Sequence, residues 1–260
     1  MEYMLGLTYY LAREIEVDCR GNKHIFIKHL LDPMRLVCVV LILLLALMTS
    51  AQCQQTAEDW FNEGDLLLNL GKYNDAIAAY NKSIEQNQSY AMAWKQKGNA
   101  FLILAKYNES IKCYNEAIKL NPNDARVWSN KGGALAGLGK FDEAIKCFDE
   151  AIQLDPRYAA ARYGKGVALD YLKKYDEATK AYDEAIRLDA NLTVAWYGKG
   201  NALGEQGKYD NAVKAFDEVI RLDPDYVAAW YGKGIALKLL GRTTEADAVF
   251  AKAKELGYAG

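Results

Sequence analysis

The sequence has very little histidine, little proline and no excess of charge of either sign. Its two histidines both lie in the first 30 residues, so the rest of the chain has no imidazole for acid–base catalysis or metal binding. The 34 acidic and 32 basic residues almost cancel, which argues against a nucleic-acid partner. No metal-ligand cluster and no Ser-His or Cys-His pair is recognisable. We therefore expect no cofactor, no metal and no enzymatic activity.

Long apolar runs are also scarce, and the run at residues 36–48 is too short to read simply as a membrane span. It reads LVCVVLILLLALM, which is 13 residues, whereas a spanning helix needs about 20. That length fits the apolar region of a secretory signal peptide. Met34 and Arg35 precede the run, and small residues follow it up to Ala51. We predict a signal peptide at 34–51, cleaved after Ala51, with an uncleaved signal-anchor as the alternative.

The flanks of this segment leave further alternatives open. Residues 1–33 form a poorly defined extension, either upstream of a true start at Met34 or an unusually long leader beginning at Met1. Residues 52–56 are a linker. The stretch LMTSAQC, ending at Cys53, resembles a lipoprotein signal, although the family pattern has a small residue where Gln52 stands. Membrane attachment could thus run through residues 36–48 or through a lipid on Cys53.

From Ala57 the chain divides into six units of 34 residues, and a fixed period of this size indicates a solenoid. Position 4 of the units is Trp except for Arg162, position 8 is always Gly, and position 24 is always Tyr or Phe. Positions 20 and 27 are small or, once, valine. The units are 57–90, 91–124, 125–158, 159–192, 193–226 and 227–260.

This pattern resembles the tetratricopeptide repeat, in which Trp, Gly, Ala and an aromatic residue recur at these positions. The resemblance covers 204 of 260 residues, since six units of 34 make 204. It implies an all-α protein, a right-handed α-solenoid of six helix-turn-helix units. It also implies that the first helices of successive units line a concave groove that binds a peptide or protein.

Residues near the middle of each unit also indicate two helices joined by a tight turn. Glycine at position 15, as in Gly71 and Gly139, suits the left-handed residue that ends a helix. The polar residue at position 18 is predicted to cap the second helix; it is Asn74, Asn108, Asp142, Asp176, Asp210 or Thr244. The stretch AWYGKG occurs at residues 195–200 and again at 229–234. Its Gly-Lys-Gly is not followed by the Ser or Thr of a phosphate-binding loop. We expect its second glycine to be a close helix contact, and its lysine to lie over the groove with a solvated ammonium.

The last unit differs from the other five at positions 21 and 28. These positions are apolar in the earlier units, with Thr179 as the exception, but are Asp247 and Lys254 in the sixth. A solenoid needs a polar face at its ends. We therefore predict that the array ends here and that the protein is monomeric.

The groove positions are expected to be 2, 5, 6, 9, 12 and 13 of each unit, with amides and charges in the middle and aromatic rings at the C-terminal end. Tyrosines would pack a peptide's side chains and amides would bond its backbone. The predicted groove residues are Lys95, Asn99, Arg126, Asn130, Tyr163, Tyr197, Asn201 and Tyr231. A second explanation is that tyrosine is simply common at position 5.

Some family members clamp a peptide's terminal carboxylate, and the resemblance allows that site to be tested here. Lys95, Asn99 and Asn130 match its first three residues. Ala160 and Gly164 replace two basic residues, and Arg126 is the nearest substitute.

Two other features are modification sites: Asn87 and Asn191 lie between units and would be glycosylated in an exported chain. Cys113 and Cys147 occupy equivalent positions in stacked units, which are too far apart for a disulfide.

We therefore expect a non-catalytic protein-interaction scaffold, exported or associated with the cell envelope. The alternative is a membrane-tethered assembly factor, lipidated or signal-anchored. A weaker alternative is an accessory subunit of an O-linked glycosyltransferase system, since such repeats accompany those enzymes; no residues of the chain remain outside the repeats for a catalytic domain.

Overall fold

A computed structural model describes residues 55–258. The predicted signal peptide, the extension before it and Cys53 lie outside the described residues. Within them the chain is helical, without strands, and its helices form six antiparallel pairs. We number them α1 to α12: Ala57–Asn69, Tyr73–Gln86, Ala91–Ile103, Tyr107–Leu120, Ala125–Gly137, Phe141–Leu154, Ala159–Tyr171, Tyr175–Leu188, Thr193–Glu205, Tyr209–Leu222, Val227–Leu239 and Thr243–Glu255. The predicted all-α solenoid is confirmed.

The turn inside each pair is made by one residue in the left-handed conformation. Gly71, Gly139, Gly207 and Gly241 have φ between 72° and 75°, as predicted for this position. The next amide, that of Lys72 in the first unit, donates to the Leu67 carbonyl at 2.9 Å, which closes the end of α1. Ala105 and Lys173 occupy the same position with φ of 54° and 59°.

The predicted caps of the second helices are wrong by two residues. The capping position is the lysine or arginine at position 16, such as Lys72, and it makes no side-chain capping bond. The tight turn leads straight into the second helix, so position 18 already lies within the first turn. Acidic residues there, such as Asp142 and Asp176, instead face the positive end of the helix dipole.

Glycine and an aromatic ring form the close contact within each pair, as predicted. A Cβ built on Gly64 would lie 2.4 Å from the Tyr80 ring, and one on Gly200 would lie 2.7 Å from the Phe216 ring. The ring therefore packs directly on the backbone of the first helix. Position 6 also holds glycine in three units, and Gly198 faces the Tyr182 ring of the preceding unit. Both glycines of AWYGKG are thus contact residues, although the sequence predicted only the second.

The lysine between these glycines makes an ion pair across the boundary between units. Lys199 lies 2.6 Å from Asp183, and Lys165 lies 2.7 Å from Asp149. The sequence predicted a solvated ammonium for this lysine; in these two ion pairs its side chain is 22 to 32% exposed and its ammonium also binds a carboxylate. Each carboxylate belongs to the second helix of the preceding unit, so the ion pair ties neighbouring units together.

The tryptophans at position 4 hold the turn between units. The indole Nε1 of Trp230 donates to the Pro224 carbonyl at 2.8 Å, and that of Trp128 to the Pro122 carbonyl at 2.9 Å. Arg162, which stands in place of tryptophan, donates from Nη2 to the Pro156 carbonyl at 2.9 Å. The substitution therefore keeps the bond that the position provides.

The sixth unit differs from the earlier units in the exposure of positions 21 and 28. Ile84, Ile186 and Val213 are 7 to 9% exposed because the next unit covers them. Asp247 and Lys254 are exposed on α12.

Cys113 and Cys147 are both buried and unpaired, as expected.

Candidate partner-binding groove

The first helices of the units form the inner face of the stack. Cα atoms of successive first helices, such as α7 and α9, approach within 8 Å, whereas successive second helices between residues 55 and 258 do not. The stack therefore curves, and the first helices lie on its concave side. All eight predicted groove residues belong to these first helices.

The middle of the groove is a network of side-chain hydrogen bonds. Asn99 stands at its centre: its amide donates to Gln96 at 2.6 Å, and its oxygen accepts from Asn130 and from the Tyr114 hydroxyl, each at 2.8 Å. Asp65 extends the network, because Gln96 donates to it at 3.0 Å. The predicted residues Asn99 and Asn130 thus meet, but they bond to each other rather than standing free.

Lys95 is engaged as well. Its ammonium lies 3.1 Å from the carboxylate of Asp124, and both side chains are mostly buried. A terminal carboxylate of a peptide would have to displace Asp124 from this lysine. Arg126 is exposed on α5 and makes no ion pair within residues 55–258. The structure thus brings together three of the clamp residues but shows the lysine already neutralised.

The C-terminal end of the groove contains a cavity of about 470 Å³ between α9 and α11. Three of the predicted residues line it, namely Tyr197, Asn201 and Tyr231. Tyr258 also lines it and stacks on Tyr231 with ring centroids 4.1 Å apart. Gly204 leaves open space beside the rings, since a Cβ there would meet nothing within 4 Å, whereas Gly232 packs closely on the Phe216 ring. The remaining lining residues are Gly200, Glu205, Tyr209, Phe216, Ala228, Ile235, Ala236 and Leu239.

The tyrosines of this region are held by neighbouring rings. Tyr197 packs against Tyr226 at 5.2 Å and against Phe216 at 5.9 Å. Tyr163, one unit earlier, packs against Tyr182 at 6.1 Å. Such fixed rings can contact a ligand with little further loss of conformational entropy.

Two carboxylates of the groove, of which only Glu205 lines the cavity, were not singled out from the sequence. Asp170 and Glu205 stand at positions 12 and 13, at the ends of α7 and α9. Burial, and then the charge of Glu205, raise the pKa of the Asp170 carboxyl. The Tyr175 hydroxyl donates to Glu205 at 3.4 Å. Their positions belong to the predicted groove set, but only the structure shows that the two charges influence each other.

The described helices contain neither a metal site nor a membrane span. No group of three or more metal-ligating side chains is found between residues 55 and 258. In the same part of the chain, no helix combines the length and apolar character needed to cross a bilayer.

Stacked helical hairpins with an inner groove define a repeat scaffold, and comparison with known families identifies which one. Tetratricopeptide repeat models match residues 130–192 and 197–257, residues 98–139, and residues 57–90. The matches cover most of the six units, so the chain belongs to the tetratricopeptide repeat family. Such families are generally non-catalytic scaffolds. No curated protein matches the chain.

Solved structures show the same fold. MamA is 25% identical, with a TM-score of 0.59 over 64% of this chain and 91% of its own. YrrB, described as having an unusual peptide-binding site, is 22% identical, with a TM-score of 0.59 over 72% of this chain and 96% of its own. PilF from Pseudomonas aeruginosa is 20% identical, with a TM-score of 0.69 over 78% of this chain and 93% of its own.

Proposed function

We propose that this protein is a non-catalytic scaffold that binds an extended peptide segment of a partner protein in the C-terminal half of its groove. The observation that carries the proposal is the cavity between α9 and α11. Its volume of about 470 Å³ lies within the usual range of small-ligand sites and suits one or two side chains of a peptide. YrrB supports the proposal in one respect, since a protein of the same fold is described as binding a peptide.

The hydrogen-bond network supports a peptide site at this end of the groove rather than in the middle. Asn99 and Asn130 are hydrogen-bonded to each other. They therefore have fewer free donors and acceptors for a peptide backbone than the sequence suggested. Asn201 differs, because its side-chain amide has no partner within residues 55–258 while it lines the cavity. An amide beside Tyr197 and Tyr231 can bond the peptide backbone while the rings bury its side chains.

We further propose that the chain is exported and acts as a monomer outside the cytoplasm, in the cell envelope or beyond it. The supporting observations are the apolar run at 36–48 and the small residues up to Ala51. Asn87 and Asn191 are exposed between units, so both could accept a glycan in an exported chain.

The same run favours a second candidate, a membrane-tethered assembly factor. Mass spectrometry of the protein from its native host separates the two. A chain that begins at Gln52 indicates cleavage, one that begins with a modified Cys53 indicates a lipid, and one that retains residues 36–48 indicates an anchor.

Peptide binding is tested by panning a random nonapeptide library against the full-length protein and measuring the selected peptides by fluorescence anisotropy. We expect Tyr231→Ala to weaken binding at least tenfold, because aromatic residues at the centre of an interface carry much of its energy. Tyr73→Ala, on α2 of the first unit, is the control and should leave the affinity unchanged.

Two results would reject the proposed function. One is the absence of any peptide that binds. The other is a set of peptides whose affinity is the same for the wild type, for Tyr231→Ala and for Tyr197→Ala, since binding would then occur elsewhere.

A further inference from the structure

Asp170 and Glu205 stand at the negative ends of two neighbouring helices. Asp170 is the penultimate residue of α7 and Glu205 is the last residue of α9, and neither helix has a basic residue in its final turn. The carbonyl end of a helix carries partial negative charge, which a carboxylate reinforces instead of neutralising. The groove wall between α7 and α9 therefore carries two carboxylates that the ends of their own helices do not neutralise.

These two carboxylates lack a basic partner, although Glu205 accepts a hydrogen bond from the Tyr175 hydroxyl. Asp124 pairs with Lys95, and Asp65 accepts hydrogen bonds from Tyr80 and Gln96. Neither Asp170 nor Glu205 lies within 4 Å of a basic group in residues 55–258. One carboxylate oxygen of Asp170, Oδ1, is buried without any hydrogen-bond partner. A buried acceptor left unpaired costs free energy, which a donor from a ligand would recover.

The surroundings of the pair favour a cation. Tyr175 donates its hydroxyl to Glu205, and the exposed Tyr171 ring stacks on Phe141 with centroids 4.7 Å apart. The face of a tyrosine ring attracts an ammonium or guanidinium group. On the same face α11 contributes Lys238, one unit further along, so the negative region is confined to α7 and α9.

Glu205 joins this negative region to the aromatic cavity, because it also lines the cavity beside Tyr197. We propose that the groove selects a peptide segment that carries a lysine or arginine close to an apolar side chain. The cation would lie between Asp170 and Glu205, and the apolar side chain would occupy the cavity at Tyr197, Tyr231 and Tyr258. This inference rests on the proposed function and names the chemistry of its partner.

The test uses a positional-scanning library of capped nonapeptides and the full-length protein. We expect the bound peptides to contain lysine or arginine at one fixed position, with an apolar residue nearby. Replacing that lysine by norleucine should weaken binding about five- to tenfold in the wild type, the scale of a partly buried charge pair. Raising the salt concentration from 50 to 500 mM should reduce the difference in affinity between the lysine and norleucine peptides, because salt screens partly exposed charges.

The double variant Asp170→Asn/Glu205→Gln removes the two charges with little change of shape. In this variant we expect lysine and norleucine peptides to bind within twofold of each other. The matched control is Asp142→Asn/Glu150→Gln, which changes the net charge equally at exposed positions of α6 and should retain the lysine preference.

The outcomes separate this inference from the proposed function. If peptides bind, and Tyr231→Ala abolishes their binding, but they show no preference for a basic residue, the scaffold proposal stands and the cation site is rejected. A lysine preference that survives in Asp170→Asn/Glu205→Gln also rejects it. If no peptide binds, both proposals are rejected.

Discussion

At the residue scale, the aromatic ring at position 24 is the side chain around which neighbouring units are built. Tyr182 shows the arrangement clearly, because a Cβ built on either Gly166 or Gly198 would come within 2.6 Å of its ring. The ring is thus held between the backbones of two successive first helices. Three such tyrosines, Tyr80, Tyr114 and Tyr182, are almost completely buried.

Two adjacent glycines of α5 test this contact. A Cβ on Gly132 would lie 2.9 Å from the Phe148 ring, whereas one on Gly133 meets nothing within 4 Å. We expect Gly132→Ala to lower the free energy of unfolding by about 1–2 kcal/mol through overpacking. Gly133→Ala should raise it by about 0.5–1 kcal/mol, since alanine favours a helix more than glycine does.

Urea unfolding followed by circular dichroism measures both variants. Because the substitutions are adjacent and chemically identical, their difference reports the ring contact alone. Equal effects of the two variants would mean that the glycine at position 8 is there for a reason other than this contact.

The buried tyrosines also predict loss of stability at alkaline pH. Burial raises the pKa of Tyr114 to about 12, and it raises the pKa values of Tyr80 and Tyr182 further. A tyrosine in an unfolded chain ionises near pH 10. The unfolded state therefore releases protons first, so the stabilising contribution of these residues is complete below pH 10 and is lost as the pH rises through 12.

Absorbance at 295 nm and circular dichroism, recorded together from pH 8 to 13, check this prediction. We expect a late group of tyrosines to ionise only as helicity is lost. Tyr114→Phe should make the free energy of unfolding less dependent on pH above 10. Complete ionisation near pH 10 with the helices intact would contradict the prediction.

At the scale of the element, the hairpin depends on one left-handed residue between its two helices. Glycine takes this conformation without strain, whereas a residue with a side chain pays roughly 1 kcal/mol. Four hairpins use glycine, while those of the second and fourth units use Ala105 and Lys173. Two hairpins of the array therefore contain a strained residue.

We expect Lys173→Gly to raise the free energy of unfolding by about 0.5–1 kcal/mol, because glycine relieves this strain. The reverse change at the same position of another unit, Gly139→Ala, should lower it by a similar amount. Nothing lies within 4 Å of a Cβ at Gly139, so the effect would come from the backbone alone. Thermal unfolding midpoints compare the variants, and a neutral result for both would show that the strain is absorbed elsewhere in the turn.

At the scale of the whole molecule, each unit covers the apolar face of the unit before it, and α12 shows what an uncovered face requires. Asp247 and Lys254 take the positions at which Val213 and Ile220 pack in the fifth unit. The charges keep the last helix in contact with water.

The variant Asp247→Ile/Lys254→Ile restores the apolar face and should make the protein self-associate, which sedimentation velocity can measure. The control is Thr244→Ile/Ala251→Ile, which places two isoleucines at exposed positions of the same helix with the same spacing. We expect only the first variant to associate. A variant that remains monomeric at high concentration would show that these charges do not act as a cap.

The periodic positions of Gly, Ala, Trp and the aromatic residues determined by themselves that the chain forms helical hairpins in tandem, because each contact recurs between residues at a fixed separation. The residues equivalent to Gly64 and Tyr80 contact each other in every unit. The repeated positions of glycine and the aromatic residue therefore indicate this contact without the structure. The groove was an expectation from the resemblance to the tetratricopeptide repeat family. The sequence also distinguished α12 from the other second helices, since it carries charges at two positions that are apolar in most units.

Only the tertiary structure decided what the groove offers to a ligand. The Lys95–Asp124 pair has no equivalent in the other described units, and the Asn99–Asn130 bond has an equivalent only between Asp65 and Gln96. Asp170 and Glu205 likewise become a pair only because α7 and α9 lie side by side. Such non-repeating side chains carry no periodic signal, so their partners are set by the stacking of units, and this stacking decides which charges are neutralised and which remain for a partner.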